Sequence, residues 1–314
     1  MENTLKVGTR ASPLALAQAE LFISSMQEQH PALSFEIVKI TTTGDKIQDR
    51  ALSEAGGKGL FTKEVEEHLL EGKIDFAVHS MKDMPTQLPE GLIIPCFLPR
   101  EDPRDAFFSF KAKTIMELPQ GAVVGTASLR RQSIVKSLRP DLKVVVFRGS
   151  VGTRLDKLKS GEVDATLLAA AGLKRLGKLD LAQELLEPEA MLPAVAQGTV
   201  GIEVRADNLK AQELLKAVHC QVTELRTVAE RAFLEVLDGS CKTPLAALMS
   251  VPDNEHRARL DILVARPDGS DVKKASHIME VKTVADAVKL GRYAGEEIKA
   301  KLPAGYLDVC NSAA

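Results

Sequence analysis

The sequence is poor in aromatic side chains and in cysteine. It has no tryptophan, two tyrosines and four cysteines among 314 residues. Proteins that bind single-stranded nucleic acid stack bases on aromatic side chains, so this shortage argues against that class, as does a net charge of −2. The cysteines are scattered without a framework spacing, which argues against a disulfide scaffold and favours a reducing compartment.

Long apolar runs are also missing. No stretch approaches the roughly 20 residues of a membrane span, and the first residues lack the basic and apolar regions of a secretory signal. The six histidines form no ligand-like pairs with one another, so no protein metal site is expected. We therefore expect a cytoplasmic protein that uses no membrane, no metal and no nucleic acid.

The rest of the composition is ordinary, but the charge is uneven. A hydrophobic fraction of 45% and a charged fraction of 27% are typical of a globular protein, and the length predicts two or three domains. Residues 128–178 contain twelve Lys and Arg against four Asp and Glu. Such a basic region either faces an anion or is simply solvated.

A short pattern occurs twice and predicts two similar α/β domains. Residues 7–12 read Val-Gly-Thr-Arg-Ala-Ser and residues 124–128 read Val-Gly-Thr-Ala-Ser. Each predicts a strand, a glycine turn and a serine that caps the following helix; Ser12 is followed by Pro13, which is favoured at the first helical position.

Two irregular segments predict the crossings between these domains. Residues 99–105 are charged and contain two prolines, and residues 193–198 are small and flexible. Two crossings between two α/β domains are typical of a hinged cleft, as in solute-binding proteins. After the helix predicted at 222–237, three strands in succession and a closing helix predict a smaller α+β domain.

Arginines lie at several predicted helix starts. Arg10 precedes the first helix, Arg130 and Arg131 open another, and Arg148 and Arg154 flank a third. A cation there opposes the helix dipole by ~0.3–1 kcal/mol, and a bound anion removes the conflict. The pattern predicts a site for carboxylates or phosphates; the alternative is that these arginines extend into solvent.

Two further segments carry candidate site residues. Lys82 and Asp83 follow a buried strand, where open α/β sheets bind ligands, although a solvated turn would have the same sequence. Lys58 lies among Gly56, Gly57 and Gly59. The Walker spacing is absent, so a mobile loop is favoured there over a phosphate-binding one.

One cysteine stands out from the other three. Cys241 lies in a predicted loop where Gly239 allows a turn, Pro244 ends any helix, and the neighbours are small. This favours a nucleophile or an attachment point over the alternative of a small buried hydrophobe. A Cys/His hydrolase is disfavoured because no histidine is tied to it.

Eight motifs in order give the chain a specific resemblance. They are Thr9–Ala15, Gly56–Phe61, Val78–Pro85, Arg100–Ala106, Ser128–Gln132, Arg148–Arg154, Ala171–Gly177 and the Cys241 loop. Together they resemble the porphobilinogen deaminase (hydroxymethylbilane synthase) family from end to end.

The resemblance implies an architecture of three domains. Two α/β domains similar to type II periplasmic binding proteins would surround the hinged cleft, with a smaller α+β C-terminal domain. The boundaries expected are 1–99 with 196–217, then 100–195, then 218–314.

The resemblance also implies a reaction and a cofactor. A transferase of heme and other tetrapyrrole synthesis would condense four porphobilinogen molecules head to tail, release four ammonia and form hydroxymethylbilane. The primer would be a dipyrromethane cofactor held by a thioether to Cys241. A cytoplasmic monomer is expected.

Site residues follow by the same resemblance. Asp83 would be catalytic, hydrogen-bonding pyrrole N–H groups and stabilising the cation left when ammonia departs. The carboxylates of the cofactor and substrate would be bound by Arg10, Ser12, Lys58, Ser80, Lys82, Ser128, Arg130, Arg131, Arg148, Arg154 and Arg175.

Two positions depart from the family pattern. Glu54 stands where some members carry lysine, and Ser240 replaces a glycine that often precedes the cysteine. The rival hypothesis is a solute-binding protein without chemistry, and the third domain with its cysteine argues against it.

Overall fold

A computed structural model of the chain describes residues 4–46, 59–237, 243–251 and 257–307. Its contacts divide it into two compact units, which are treated separately below. The first unit comprises 1–101 and 198–224, and the second comprises 102–197 and 225–314. The three domain boundaries expected from the sequence remain a prediction.

The strands and helices alternate along most of the chain. The strands are β1 (Leu5–Arg10), β2 (Phe35–Ile40), β3 (Phe76–Ser80), β4 (Leu92–Phe97), β5 (Asp105–Ser109), β6 (Val123–Gly125), β7 (Lys143–Val145), β8 (Ala165–Ala169), β9 (Glu184–Leu186), β10 (Val200–Arg205), β11 (Leu245–Ser250), β12 (Arg257–Ala265) and β13 (Val272–Glu280). The helices are α1 (Pro13–Gln29), α2 (Thr43–Lys46), α3 (Lys63–Leu70), α4 (Leu129–Leu138), α5 (Val151–Lys159), α6 (Ala170–Arg175), α7 (Leu209–Leu215), α8 (Gln221–Val236) and α9 (Val284–Ala300).

The sheet of the first unit has the order β2-β1-β3-β10-β4. β1 is parallel to both β2 and β3, whereas β10 is antiparallel to β3 and β4. Helix α1 covers this sheet, and its Phe22 packs edge-on against Phe76 of β3 with ring centroids 5.4 Å apart. Burial of such large aromatic side chains dominates the energetics of a core.

The first sheet of the second unit repeats that topology. Its order is β7-β6-β8-β5-β9, with β6 parallel to β7 and β8, and β5 antiparallel to β8 and β9. The two copies of the repeated sequence pattern therefore lie on β1 and β6, which occupy equivalent places in the two sheets.

The glycine of each copy lies where a side chain would collide with the core. A Cβ on Gly8 would lie 2.2 Å from Ile74 Cδ1, and one on Gly125 would lie 2.6 Å from Phe147 Cγ. The glycines thus permit close packing on the sheet.

The C-terminal part of the second unit is an antiparallel sheet, β11-β12-β13, with α9 against it. Gly291 of α9 lies so close to α8 that a Cβ would be 2.1 Å from Ala229 O. The predicted fold class is confirmed: two similar α/β sheets and a smaller α+β C-terminal part. Among the described helices, none is long and apolar enough to cross a membrane.

Strands β5 and β9 were not predicted from the sequence. All five residues of β5 are buried, and the strand begins at Asp105, at the end of the segment interpreted as a crossing. The strand was missed because charged residues precede Phe107 and Phe108, so the apolar stretch is too short to be recognised.

Candidate functional site

The first candidate site lies at the carboxyl end of β3. The strand is buried and leads directly into a 3-10 helix, Met81–Asp83, whose Met81 packs into the core with 1% exposure. This anchor holds Lys82 and Asp83 at the surface of the unit, both half-buried. A small pocket here is lined by Arg10, Ala15, Gln18, Phe61, Thr62, Val78, His79, Ser80, Asp83 and Met84.

Arg10 reaches this pocket from the end of β1. Its guanidinium forms an ion pair with Asp45 and lies over the ring of Phe61, 4.1 Å from the ring centroid. Burial would raise the pKa of Asp45, but hydrogen bonds from Arg10 and Thr42 outweigh burial and lower that pKa. Asp45 therefore stays ionised and orients the arginine.

The two serines predicted at this site have protein partners. Ser80 Oγ lies 2.8 Å from Gln18 Nε2, so a helix side chain fixes the end of β3. Ser12 caps α1, and its Oγ accepts a hydrogen bond from Ala15 N at 3.3 Å.

A buried group of ionisable side chains begins at His79, one of the residues that line the pocket, and was not predicted. His79 Nε2 lies 3.0 Å from Glu203 Oε2 of β10, and Glu203 is fully buried. Burial and then the charge of Glu203 raise the pKa of Glu66 on α3. In the sequence, His79 and Glu203 are 124 residues apart, so no local pattern could pair them.

The second candidate site lies in the other unit, at the start of α4. Arg130 and Arg131 are both buried, and each places an Nη2 atom 2.7 Å from the carboxylate of Asp105. Arg130 Nη1 also donates to Leu192 O, and Arg131 Nη1 donates to Leu167 O, both at 2.8 Å. The anion that offsets these two helix-start arginines is thus partly the protein's own.

Arg154 has a different environment. Its Nε is buried without a hydrogen-bond partner among the described residues. Burial, and then the like charges of Arg131 and Arg148, lower the pKa of Arg154 to about 10. A buried guanidinium donor on which two further cations act is a fitting arrangement for an anionic ligand.

The other predicted residues of this unit are placed as follows. Ser128 caps α4 and accepts a hydrogen bond from Arg131 N at 3.4 Å. Arg148 precedes α5, and Arg175 is the last residue of α6; both are half-buried. Of these residues, Arg131 and Arg148 lie close enough to Arg154 for their charges to act on it.

The predictions for Cys241, Lys58, Glu54 and Ser240 lie outside the described residues. Within the described ranges, no group of three or more His, Cys, Asp or Glu side chains is arranged to hold a metal ion.

Asp105 is the buried partner of Arg130 and Arg131 that the sequence interpretation missed. Its signal was present, because an acidic residue before Ala-Phe-Phe in a buried strand needs a cationic partner. The strand itself had to be recognised first.

Two family models match most of the chain. Residues 5–213 match the model described as porphobilinogen deaminase, dipyromethane cofactor binding domain, and residues 224–300 match porphobilinogen deaminase, C-terminal domain.

Curated relatives extend over nearly the whole length. The chain is 52% identical over 309 residues to porphobilinogen deaminase of Paracoccus denitrificans, covering 98% of this chain and 97% of the relative. It is 50% identical over 310 residues to the chloroplastic porphobilinogen deaminase of Oryza sativa subsp. japonica, covering 98% of this chain and 86% of the relative.

Solved structures give a more distant likeness. A nutrient binding protein from Burkholderia cenocepacia bound to methionine is similar over 70% of this chain and 94% of its own, with a TM-score of 0.44 and 16% identity.

Proposed function

Because the chain belongs to the porphobilinogen deaminase family, we propose that it joins four porphobilinogen molecules head to tail into hydroxymethylbilane. Each condensation releases one ammonia. Hydrolysis then releases the linear tetrapyrrole with a hydroxymethyl group at its end. The enzyme is accordingly a transferase of tetrapyrrole synthesis. The matches over 5–213 and 224–300 support this reaction for the whole chain.

The cofactor domain of the chain fits a dipyrromethane. When bound, this group supplies a pyrrole α-carbon to which the first substrate is joined. Cys241 would hold it by a thioether. Each pyrrole ring of a dipyrromethane or of porphobilinogen carries an acetate and a propionate, which suits a set of buried arginines.

The observation that carries the binding proposal is the environment of Arg154. The like charges of Arg131 and Arg148 act on it, and its Nε is a buried donor with no partner among the described residues. Burying a cation beside like charges is unfavourable unless an anion joins them. We propose that carboxylates of the cofactor and substrate fill this role, with Arg175 and Ser128 assisting.

Asp83 would provide the catalytic charge. When the protonated aminomethyl group of porphobilinogen leaves as ammonia, the C–N bond electrons depart with nitrogen and the pyrrole becomes cationic. A carboxylate fixed by the Met81 anchor can accept a hydrogen bond from the pyrrole N–H and stabilise that cation. The same carboxylate stabilises the cation formed when the rings join, until the α-proton leaves. Arg10, Ser12, Lys58, Ser80 and Lys82 would bind carboxylates nearby.

Cysteine usage supports a reducing compartment. Cys96 and Cys220 are free thiols, and burial raises the pKa of Cys96 to about 12. We propose that the enzyme acts in the cytoplasm as a monomer, independently of nucleic acid.

Intact-mass measurement tests the attachment of the cofactor. We expect the purified wild-type chain to be heavier than its sequence by one dipyrromethane, and Cys241→Ser to lack both that mass and turnover. Cys220→Ser is the matched control, because it removes another thiol and should retain the extra mass. An unmodified wild-type chain with full turnover would overturn the proposal.

A further inference from the structure

Asp105 occupies a central place beneath the arginines of α4. It is fully buried at the start of β5, and its two oxygens each lie 2.7 Å from a different guanidinium, Arg130 on one side and Arg131 on the other. Gln197 Nε2 adds a hydrogen bond to Oδ1 at 2.9 Å. One carboxylate therefore sets the direction of two cations.

The protonation of this group is settled by its partners. Burial would raise the pKa of Asp105, but the charges of Arg130 and Arg131 hold that pKa well below its usual range. The carboxylate is therefore ionised near neutral pH. Two guanidinium charges and one carboxylate leave the buried group with a net charge of +1.

Asp105 orients the two arginines but does not occupy all of their hydrogen-bond donors. A guanidinium has five N–H donors, and the bonds to Asp105, Leu192 O and Leu167 O engage only some of them. The charge of Arg131 still acts on Arg154. Asp105 thus fixes two cations in place while the group keeps its attraction for anions.

We propose that Asp105 is a positioning residue for carboxylate binding: it aims Arg130 and Arg131 so that they, with Arg154, hold the cofactor and substrate side chains. Asp105 itself contacts neither molecule. The inference rests on the proposed function, because it assumes that these arginines bind pyrrole carboxylates.

The simpler explanation is that Asp105 only neutralises a buried charge. A pair of variants distinguishes this explanation from the positioning role. Asp105→Asn alone leaves two buried cations without an anion and can fail to fold. Arg130→Gln combined with Asp105→Asn leaves Arg131 alone, again with a net charge of +1. Arg130→Gln by itself keeps the Asp105–Arg131 ion pair.

The measurement compares the double variant with Arg130→Gln in the full chain. We expect both to fold cooperatively, with a lower melting temperature for the double variant because Arg131 loses its counter-ion. The fraction of protein carrying the dipyrromethane mass should be lower in the double variant, and KM for porphobilinogen in the loaded fraction should be about tenfold higher, within the range of coupling between contacting residues. The kcat of the loaded fraction should change little. Equal loading and equal KM in the two variants would overturn the positioning role.

Asp164→Asn is the matched control for general destabilisation. Asp164 is a structural carboxylate of the same unit that accepts a hydrogen bond from Val123 N at 2.7 Å and pairs with Lys111. It should lower the melting temperature and leave loading and KM unchanged. A loss of loading as large as in the double variant would contradict the inference. A wild-type chain without the mass and without turnover would instead overturn the proposed function itself.

Discussion

The arginines of the second unit differ in the charges that the described residues place beside them. Arg130 and Arg131 share Asp105, and removing one partner of such a buried pair costs about 3–5 kcal/mol. Arg154 is half-buried with its Nε buried, and the like charges of Arg131 and Arg148 act on it. The pairing with Asp105 supports the fold and still leaves one positive charge, and Arg154 beside further cations is suited to an external anion.

At the residue scale, the proposed catalytic group is the carboxylate of Asp83. We expect Asp83→Asn to lower turnover by about 100-fold or more, the usual cost of losing a group that stabilises developing charge. The amide keeps the size of the side chain but loses its charge. Single-turnover formation of the tetrapyrrole, with the cofactor mass recorded in parallel, measures the effect.

Asp75→Asn is the control for this prediction. Asp75 precedes β3, at the end opposite Asp83, and accepts a hydrogen bond from Lys6 N at 2.8 Å. Its replacement should leave turnover unchanged. Turnover close to that of the wild type in Asp83→Asn would remove Asp83 from the catalytic role.

At the scale of single elements, three helices near the arginines begin with the same feature, a serine cap. Serine side chains accept an N–H in the first turn of α1, α4 and α5: Ser12 from Ala15, Ser128 from Arg131 and Ser150 from Thr153. A cap satisfies one of the free amides at a helix start and leaves others available to an anion. Capping and anion binding are therefore compatible at one helix end.

Substitutions at Ser12 distinguish the cap from the ligand contact. Ser12→Ala should lower the free energy of unfolding by ~1 kcal/mol, because the cap is lost. Ser12→Asp keeps a capping oxygen but places a carboxylate where a substrate carboxylate is proposed to bind. We expect near wild-type stability and a raised KM for porphobilinogen.

The control for the Ser12 variants is a helix cap at which no ligand contact is proposed. Asn208 caps α7 by accepting from Ala211 N at 3.1 Å. Asn208→Ala should cost similar stability and leave KM as in the wild type. If Ser12→Asp also leaves KM unchanged, Ser12 is a cap and nothing more.

At the scale of the whole molecule, the first unit is assembled from two separate stretches of chain. Strand β10 lies between β3 and β4 and pairs with both. Residues 1–101 alone would therefore lose the strand that joins β4 to the sheet. The two stretches meet where Glu101 N donates to Gly198 O at 3.3 Å, so a short linker can join them.

Two fragments test this assembly. Residues 1–101 should show no cooperative thermal unfolding, because a sheet interrupted in this way exposes its apolar face. Residues 1–101 joined to 198–224 by a short Gly/Ser linker should unfold cooperatively by circular dichroism. Cooperative unfolding of 1–101 alone would show that β10 is dispensable for the fold of this unit.

Much of the local structure could be predicted from the sequence alone. The bounds of α1, the start of α4 after Ser128 and the place of Asp83 beyond a buried strand all follow from interactions within a few residues: apolar periodicity, caps and prolines. The repeated Val-Gly-Thr pattern also predicted two domains of one topology. The motifs were specific enough to indicate the family.

Tertiary structure alone decided which charges would meet. Asp105 joins Arg130 and Arg131, and His79 joins Glu203, because their strands and helices become neighbours only after distant parts of the chain pair. A helix-start arginine therefore predicted a nearby anion, but not that one would come from the chain itself. Local free energies determine helices and strands, whereas the partner of a buried charge depends on strand order, which no short segment encodes.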